Sequence, residues 1–157
     1  METISTNPCK SCAVFRPCSR SESPLVFCGF GEPTERLELL CKTAAYLKEQ
    51  GVRCIRLNTN GLSDLLHGRK TAQDLHGLVD IVSISLNAGT EEEYQKVTRP
   101  RFPNAFAALQ EFAADCKDSV PTIMYSVVDI LPKTELDAAQ TLADRQGIPL
   151  RVRKFEH

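Results

Sequence analysis

One carboxylate, Glu32, stands where an apolar run meets a helical pattern. The run "LVFCGF" at residues 25–30 ends in a glycine-rich turn, and Glu32 lies between Gly31 and Pro33. Glycine lets the backbone approach a ligand closely, and proline fixes φ, so this turn can hold the carboxylate in one position. Such a carboxylate can bind an ammonium group. Alternatively, it is a first-turn acid that favours the dipole of the next helix.

Three cysteines, Cys9, Cys12 and Cys18, form a second group with possible chemistry. They lie in the Pro/Ser-rich stretch "NPCKSCAVFRPCSRS", where little surrounds them to pack against. Thiolates bind iron–sulfur clusters and zinc. Three interpretations stay open at this point: an iron–sulfur cluster, a zinc ion with Cys28 as a possible fourth ligand, and free thiols in a disordered tail.

The remaining cysteines, Cys41, Cys54 and Cys116, fall in apolar patterns and are predicted to be core residues. The chain has seven cysteines and no secretory signal. An odd count without such a signal does not favour a disulfide framework.

The elements that must position these groups are alternating strands and helices. The predicted strands are "PLVFCGF", "VRCIRLNTNG", "DIVSISLNAG", "PTIMYSVVDI" and "PLRVRKF". The predicted helices are "TERLELLCKTAAYLKEQG", "TAQDLHGLV", "TEEEYQKV", residues 105–116 and residues 134–147, and "LLHGRK" is predicted to be a polar loop. Strands that alternate with helices pair in parallel, with right-handed crossovers. A complete eight-stranded barrel needs about 250 residues, more than the 157 of this chain. We therefore predict an α/β fold with a parallel five-stranded βα-repeat sheet, as an open sheet or a partial TIM-like barrel, over residues 25–157. Residues 1–24 form a separate cysteine-containing segment.

Polar residues and glycines lie at the predicted carboxyl ends of the strands. In order along the chain they are Gly29, Gly31 and Glu32; Asn58, Thr59, Asn60 and Gly61; Ser83, Ser85 and Asn87; Ser126 and Asp129. Ligands of parallel α/β folds bind at this edge. Any one of these residues could equally be a turn or cap residue. Arg151 and Arg153 share one face of the last strand, where they could belong to the same site. Alternatively, they form the solvated face of an edge strand.

Composition excludes some classes of function. The chain has 19 basic and 20 acidic residues, a formal net charge of −1. This balance argues against a general binder of nucleic acids or membrane surfaces. No apolar run is long enough to span a bilayer, so we expect a cytoplasmic protein.

Three of these stretches, "CGFGEP", "RLNTNG" and "VSISLNA", together resemble the radical S-adenosylmethionine (SAM) superfamily, most closely its TatD-linked group. The segments "HGRK", "VTRPRFPNAF" and "RVRKFEH" are also similar to that group, and the resemblance covers residues 25–155. It implies a partial βα barrel that binds SAM at its carboxyl rim. The implied SAM-binding residues are Gly29, Gly31, Glu32, Pro33, Asn58, Asn60, Ser83, Ser85 and Asn87. Among them, Glu32 would hold the methionine amino group.

The same resemblance implies a [4Fe–4S] cluster with three cysteine ligands, for which Cys9, Cys12 and Cys18 are the candidates. In the family, SAM chelates the fourth iron and is cleaved reductively to a 5′-deoxyadenosyl radical, with electrons from a donor protein. The family spacing is C-x3-C-x2-C, whereas this chain has C-x2-C-x5-C. Only residues 19–24 separate Cys18 from the first predicted strand, so the usual first βα unit is shortened or replaced.

The sequence therefore leads to one principal function and three alternatives. The principal function is a radical SAM enzyme of unknown substrate, with association to a TatD-type hydrolase implied by the family name alone. The alternatives are a shortened non-catalytic relative, a partner-binding α/β domain and a small zinc-binding protein. His67 and His76 have no paired acid or cysteine nearby in sequence and are predicted to be structural.

Overall fold

The computed structural model describes Cys18 and residues 23–29 and 31–155. The strands are β1 (Leu25–Phe27), β2 (Ile55–Thr59), β3 (Ile81–Ser85), β4 (Thr122–Val128) and β5 (Leu150–Arg153). The helices are α1 (Leu37–Glu49), α2 (Ser63–His67), α3 (Glu91–Thr98), α4 (Ala105–Ser119) and α5 (Lys133–Gln146), with short 3-10 helices at Pro33–Arg36 and Ala72–Leu75. In this described part, no helix has the length and apolar character needed to cross a membrane.

The five strands form one parallel sheet whose spatial order is the chain order, β1-β2-β3-β4-β5. This confirms the predicted five-stranded parallel sheet. Because parallel crossovers are right-handed, a sheet in chain order carries its connecting helices on one face. The burial of the side chains agrees with that arrangement.

The two faces of the sheet differ in burial and in chemistry. The helix-covered face buries Ile55, Leu57, Thr59, Val82, Ile84, Ile123, Tyr125 and Val127. The register places Arg56, Asn58, Ser83, Ser85, Met124, Ser126, Arg151 and Arg153 on the opposite face. Apart from the two short serines Ser83 and Ser126, these side chains are half-buried or exposed. We call this second surface the open face.

The helix patterns explain most of the connections. α1 buries Leu37, Leu40 and Ala44 as its periodicity predicts, and Gly51 with φ 92° follows its end. The prediction of a loop over the whole of "LLHGRK" was wrong. Residues Ser63–His67 form α2, and Gly68 at φ 63° caps the carboxyl end of this helix. A helix of five residues is too short for an amphipathic period to reveal it.

Two further boundaries differ from the sequence prediction. The short helix predicted at "TAQDLHGLV" is a single 3-10 turn, Ala72–Leu75. The helix predicted over residues 105–116 continues to Ser119, whose hydroxyl donates to the backbone carbonyl of Asp115. Helix ends are the least certain feature of a periodicity argument, since the terminal turn carries few core residues.

Asp80 joins three strands at the amino edge of the sheet. Its Oδ2 accepts hydrogen bonds from the backbone N–H of Ile55 at 2.8 Å and from Nζ of Lys48 at 2.6 Å. Its own N–H donates to the carbonyl of Ile55, and its carbonyl accepts from the N–H of Thr122. The residue therefore ties α1, β2 and β4 together just before β3.

A disulfide between Cys18 and Cys54 lies at this same amino edge. Cys54 is buried, as predicted for a core residue, but it is bonded rather than free. The prediction that no disulfide forms was therefore wrong for this pair. The bond attaches the amino-terminal segment to the residue that immediately precedes β2. Sequence reasoning missed it because the bond joins residues 36 apart, and only the fold brings them together.

Gly89 is a position where packing requires the absence of a side chain. A Cβ atom at this residue would lie 2.4 Å from the backbone nitrogen of Ala139 and from the carbonyl oxygen of Glu135. The carboxylate of Glu135 also accepts hydrogen bonds from the N–H groups of Gly89 and Thr90. The start of α3 is thus packed directly against α5.

We expect Gly89→Ala to destabilise the fold by about 3 kcal/mol, because the backbone of α5 must move to admit the methyl group. Urea denaturation measures the loss. Gly29→Ala is the matched control, since nothing lies within 4 Å of its Cβ position. Equal stability of the two variants would contradict the close packing of α5 on Gly89.

Candidate functional site at the carboxyl edge of the sheet

Glu32 is held by the chain itself. Its Oε1 accepts hydrogen bonds from the N–H of Thr34 at 3.2 Å and from the Thr34 hydroxyl at 2.7 Å. The Thr59 hydroxyl donates to the same oxygen at 2.5 Å, and the N–H of Asn60 donates to Oε2 at 2.8 Å. The carboxylate therefore attaches the turn after β1 to the carboxyl end of β2. Each carboxylate oxygen has about two acceptor positions. Oε2 uses one of them, for the N–H of Asn60, and so retains capacity for another donor.

A second layer of contacts supports Thr34, which is fully buried. Nε2 of His67 lies 2.7 Å from the carbonyl oxygen of Thr34; the carbonyl can only accept, so the nitrogen donates. The ring of His76 likewise contacts the carbonyl of Ser119 at 3.2 Å. Both histidines bind backbone carbonyls, as expected for structural residues.

The predicted SAM-binding residues divide into two groups. At the carboxyl edge, or in the loops that follow the strands there, lie Gly29, Gly31, Glu32, Pro33, Asn60 and Asn87. Asn58, Ser83 and Ser85 lie within β2 and β3 and belong to the open face, where Asn58 pairs in register with Ser83. The two groups adjoin each other because Asn60 follows Asn58 by two residues and Asn87 follows Ser85 by two residues. The alternation of side chains along a strand produces this division.

A cleft of about 590 Å³ lies at the carboxyl edge. Among the predicted residues, Asn60 and Asn87 line it, and Glu32 adjoins it through its bond to Asn60. The rest of the lining is Glu35, Leu62, Leu66, Tyr94, Val97, Thr98, Arg99, Pro100, Arg101 and Phe102. A larger cleft of about 780 Å³ runs along α1, and none of the predicted SAM-binding residues lines it.

Two residues that line the 590 Å³ cleft have a left-handed backbone although they are not glycine. Asn87 has φ 63° and Arg99 has φ 45°, and they are the only such residues in the described part of the chain. Asparagine tolerates this region better than most residues, and Arg99 occupies the end of α3, where left-handed caps are common. Such conformations are enriched at functional sites. Their coincidence in one cleft favours a binding role for it.

Sequence reasoning noted the "RPR" segment but missed the apolar part of the cleft. The guanidinium carbon of Arg101 lies 5.3 Å from the ring centroid of Phe102. Leu62, Leu66 and Phe102 come from two loops and α2, so they show no common period in sequence. These residues have in common only the cleft that they line together with Asn87, and the sequence does not reveal this proximity.

Hydrogen-bonding groups on the open face have few partners within the chain. Nε of Arg56 donates to Oδ1 of Asn58 at 2.8 Å. Within the described residues, the hydroxyls of Ser83, Ser85 and Ser126 make no hydrogen bond. Groups of this kind remain available to a ligand.

The positions of the cysteines differ from those expected for ligands of one iron–sulfur cluster. Cys9 and Cys12 are outside the described residues. Cys18 is bonded to Cys54 at the amino edge of the sheet, opposite the cleft. The sulfurs of Cys18 and Cys54 and a carboxylate oxygen of Asp80 lie within 4.8 Å of one another. Cys28 is exposed and free, one residue beyond the end of β1.

We expect Glu32→Gln to lower the stability of the protein by about 1–3 kcal/mol. The amide nitrogen of glutamine is a donor, and it would face N–H or hydroxyl donors that now bind a carboxylate oxygen. Thermal denaturation measures the effect. Glu35→Gln is the matched control, since Glu35 is exposed and its side chain makes no hydrogen bond among the described residues. If both variants unfold at the temperature of the wild type, the carboxylate of Glu32 does not join β1 to β2 as described.

Comparison of the chain with protein-family models, with curated proteins and with solved structures finds no match in any of the three. No relative therefore assigns a role to the cleft or to the open face. The function has to be argued from the side chains and their geometry.

Proposed function

We propose that this protein is a member of the radical SAM superfamily that binds SAM at the carboxyl edge of its sheet. In this proposal the five strands are part of an incomplete TIM-like barrel, and the open face corresponds to the interior of that barrel. The observation that carries the proposal is Glu32, a carboxylate fixed at the end of β1 and β2 with acceptor capacity left on Oε2. The other contacts of SAM follow from the groups beside it.

The methionine end of SAM presents an ammonium group, which Oε2 of Glu32 can accept as a charge-assisted hydrogen bond. Gly29 and Gly31 are exposed, and a Cβ atom at either would meet nothing within 4 Å. Packing within the described chain therefore gives no reason for glycine at these positions. Close approach of a ligand to the backbone supplies one.

The adenosine end of SAM suits the 590 Å³ cleft. Pockets for small ligands are mostly apolar with a few polar groups, and their usual volume includes this one. Leu62, Leu66 and Phe102 offer apolar surface to a purine ring, while the amides of Asn60 and Asn87 offer hydrogen bonds. Asn58, Ser83 and Ser85 offer further polar groups on the open face, which the proposal assigns to the ribose or the carboxylate.

The iron–sulfur part of the proposal depends on Cys9, Cys12 and Cys18. Among the described residues the fit is poor, because Cys18 is held in a disulfide and lies at the opposite edge of the sheet from Glu32. A thiolate, not a disulfide sulfur, is the ligand of such clusters. Cluster assembly therefore requires that the Cys18–Cys54 bond first be reduced. An electron donor and a TatD-type hydrolase remain partners that only the resemblance implies.

The disulfide favours a second candidate function. With Cys18 bonded to Cys54, the chain is a shortened relative that retains the SAM-binding edge without cluster chemistry. Such a domain would bind SAM or a partner but would not cleave SAM reductively. The two candidates share the site at Glu32 and differ only in the amino-terminal cysteines.

For SAM binding, we expect calorimetry to show an affinity that falls at least about tenfold in Glu32→Gln, because the amide loses the charge that faces the ammonium. Thr59→Val is the control: it removes one internal hydrogen bond of Glu32 and keeps the charge. If Glu32→Gln binds SAM as the wild type does, Glu32 does not hold the amine. If Thr59→Val is equally impaired, Glu32 acts through the position of the loop instead.

For the cluster, we expect the protein to gain a broad visible absorption after disulfide reduction and anaerobic reconstitution with iron and sulfide. The absorption should be lost in Cys9→Ala, Cys12→Ala and Cys18→Ala and kept in Cys41→Ala, since Cys41 is a half-buried residue of α1 and donates to the carbonyl of Asp74. Formation of 5′-deoxyadenosine from SAM is the second readout. A protein that stays colourless, or takes up zinc alone, contradicts the enzyme and supports the shortened relative.

A further inference from the structure

The open face carries three arginines and no acid. Arg56 lies on β2, and Arg151 and Arg153 lie on β5. None of the residues that the register places on this face is Asp or Glu. Within the described residues, no ion pair involves any of the three. Asp129, which follows β4, instead accepts a hydrogen bond from the backbone N–H of Phe155 at 2.9 Å.

The shape of this surface brings the arginines toward one another. β3 and β4 lie between the two arginine-bearing strands and place the short side chains of Ser83 and Ser126 on the open face, both nearly fully buried. The register also places Ile81 and Met124 on this face, so the surface between the arginine-bearing strands is partly polar and partly apolar. Arg56 is close enough to Arg151 and Arg153 to feel their charges.

The electrostatics of Arg56 are unfavourable without another partner. Partial burial, followed by the charges of Arg151 and Arg153, lowers the pKa of its guanidinium. Only Nε is used within the chain, in the hydrogen bond to Asn58. An arginine stays protonated in proteins, so its charge and its two terminal nitrogens remain uncompensated on this face.

SAM does not remove this excess of charge. It carries a sulfonium, an ammonium and one carboxylate, so its net charge is positive. Three arginines that repel one another require a ligand with several negative charges. Phosphate groups meet this requirement, because the planar fork of arginine pairs with phosphate oxygens through two parallel hydrogen bonds.

We propose that the open face binds a phosphate-bearing small molecule, with Arg56 on one side of the phosphate group and Arg151 and Arg153 on the other. A cleft of about 690 Å³ along β5, lined by Val128, Arg151, Val152, Arg153, Lys154 and Phe155, gives room for the rest of the ligand. This site does not require that SAM binds at Glu32. If SAM does bind, the phosphate ester is the second ligand of the same barrel interior.

The test is titration of the full chain with inorganic pyrophosphate, followed by calorimetry and by NMR chemical shifts. We expect saturable binding that weakens as salt is raised, with affinity at least about tenfold lower in Arg151→Gln and in Arg56→Gln. Arg145→Gln is the matched control, because Arg145 is an exposed arginine of α5, on the helix side of the sheet. We expect it to bind as the wild type does.

Further variants separate this proposal from its alternatives. Glu32→Gln should bind pyrophosphate normally, so that loss of SAM binding and loss of phosphate binding are independent results. Arg101→Gln should also bind normally; if it alone is impaired, the anion binds in the cleft at the carboxyl edge and the proposal is wrong. Equal weakening in Arg145→Gln would show general charge attraction, and no binding by the wild type would show that Arg151 and Arg153 form a solvated edge. Thermal denaturation of each variant checks that it is folded.

Discussion

The order of the strands is the constraint on which the rest of the molecule depends. Each strand pairs in parallel with the next one in the chain, so right-handed crossovers place the helices on one face. That face becomes the apolar core. The other face has no helix supplied by this topology. It mixes serines, an asparagine and arginines with Ile81 and Met124, rather than carrying the continuous apolar runs of a sheet covered on both sides. The site at the carboxyl edge and the site on the open face both follow from this asymmetry.

Glu32 stabilises the fold and, in the proposed function, also binds the ligand. Its bonds to Thr34, Thr59 and Asn60 fix the carboxylate before any ligand arrives. A preorganised acceptor loses less conformational entropy when it binds a cation than a mobile one does. The same arrangement means that the internal donors compete for the oxygens. The ligand has access chiefly to Oε2, where the chain uses a single hydrogen bond.

The parts of the fold that the sequence predicted are those set by local pattern. Five apolar runs separated by helical periods predict a parallel sheet, and the order of the strand ends predicts that Glu32 and Asn60 lie at the same edge of it. The division of Asn58, Ser83 and Ser85 onto the open face could also have been obtained from the alternation of side chains, once the limits of β2 and β3 were known.

The Cys18–Cys54 bond and the partners of Glu32 could not be predicted in this way. Each depends on which distant residues the tertiary structure brings together. The five-residue helix α2 was not predicted for a different reason, because so short a helix shows no hydrophobic period. The nearness of Arg56 of β2 to the two arginines of β5 likewise depends on the tertiary structure, which no local pattern encodes.

The sequential pairing of strands also has a consequence for how the chain acquires its structure. Every hydrogen-bonded strand pair joins neighbours in sequence, so no strand must wait for a partner made much later. Pairing with the next strand in sequence closes the shortest loop that a parallel connection allows, so it costs less entropy than pairing with a more distant strand. A ribosome that releases the chain from its amino end would release β1, β2 and β3 in the order in which they pair. The sheet can therefore grow one βα unit at a time, with each new strand docking on the edge left by the one before.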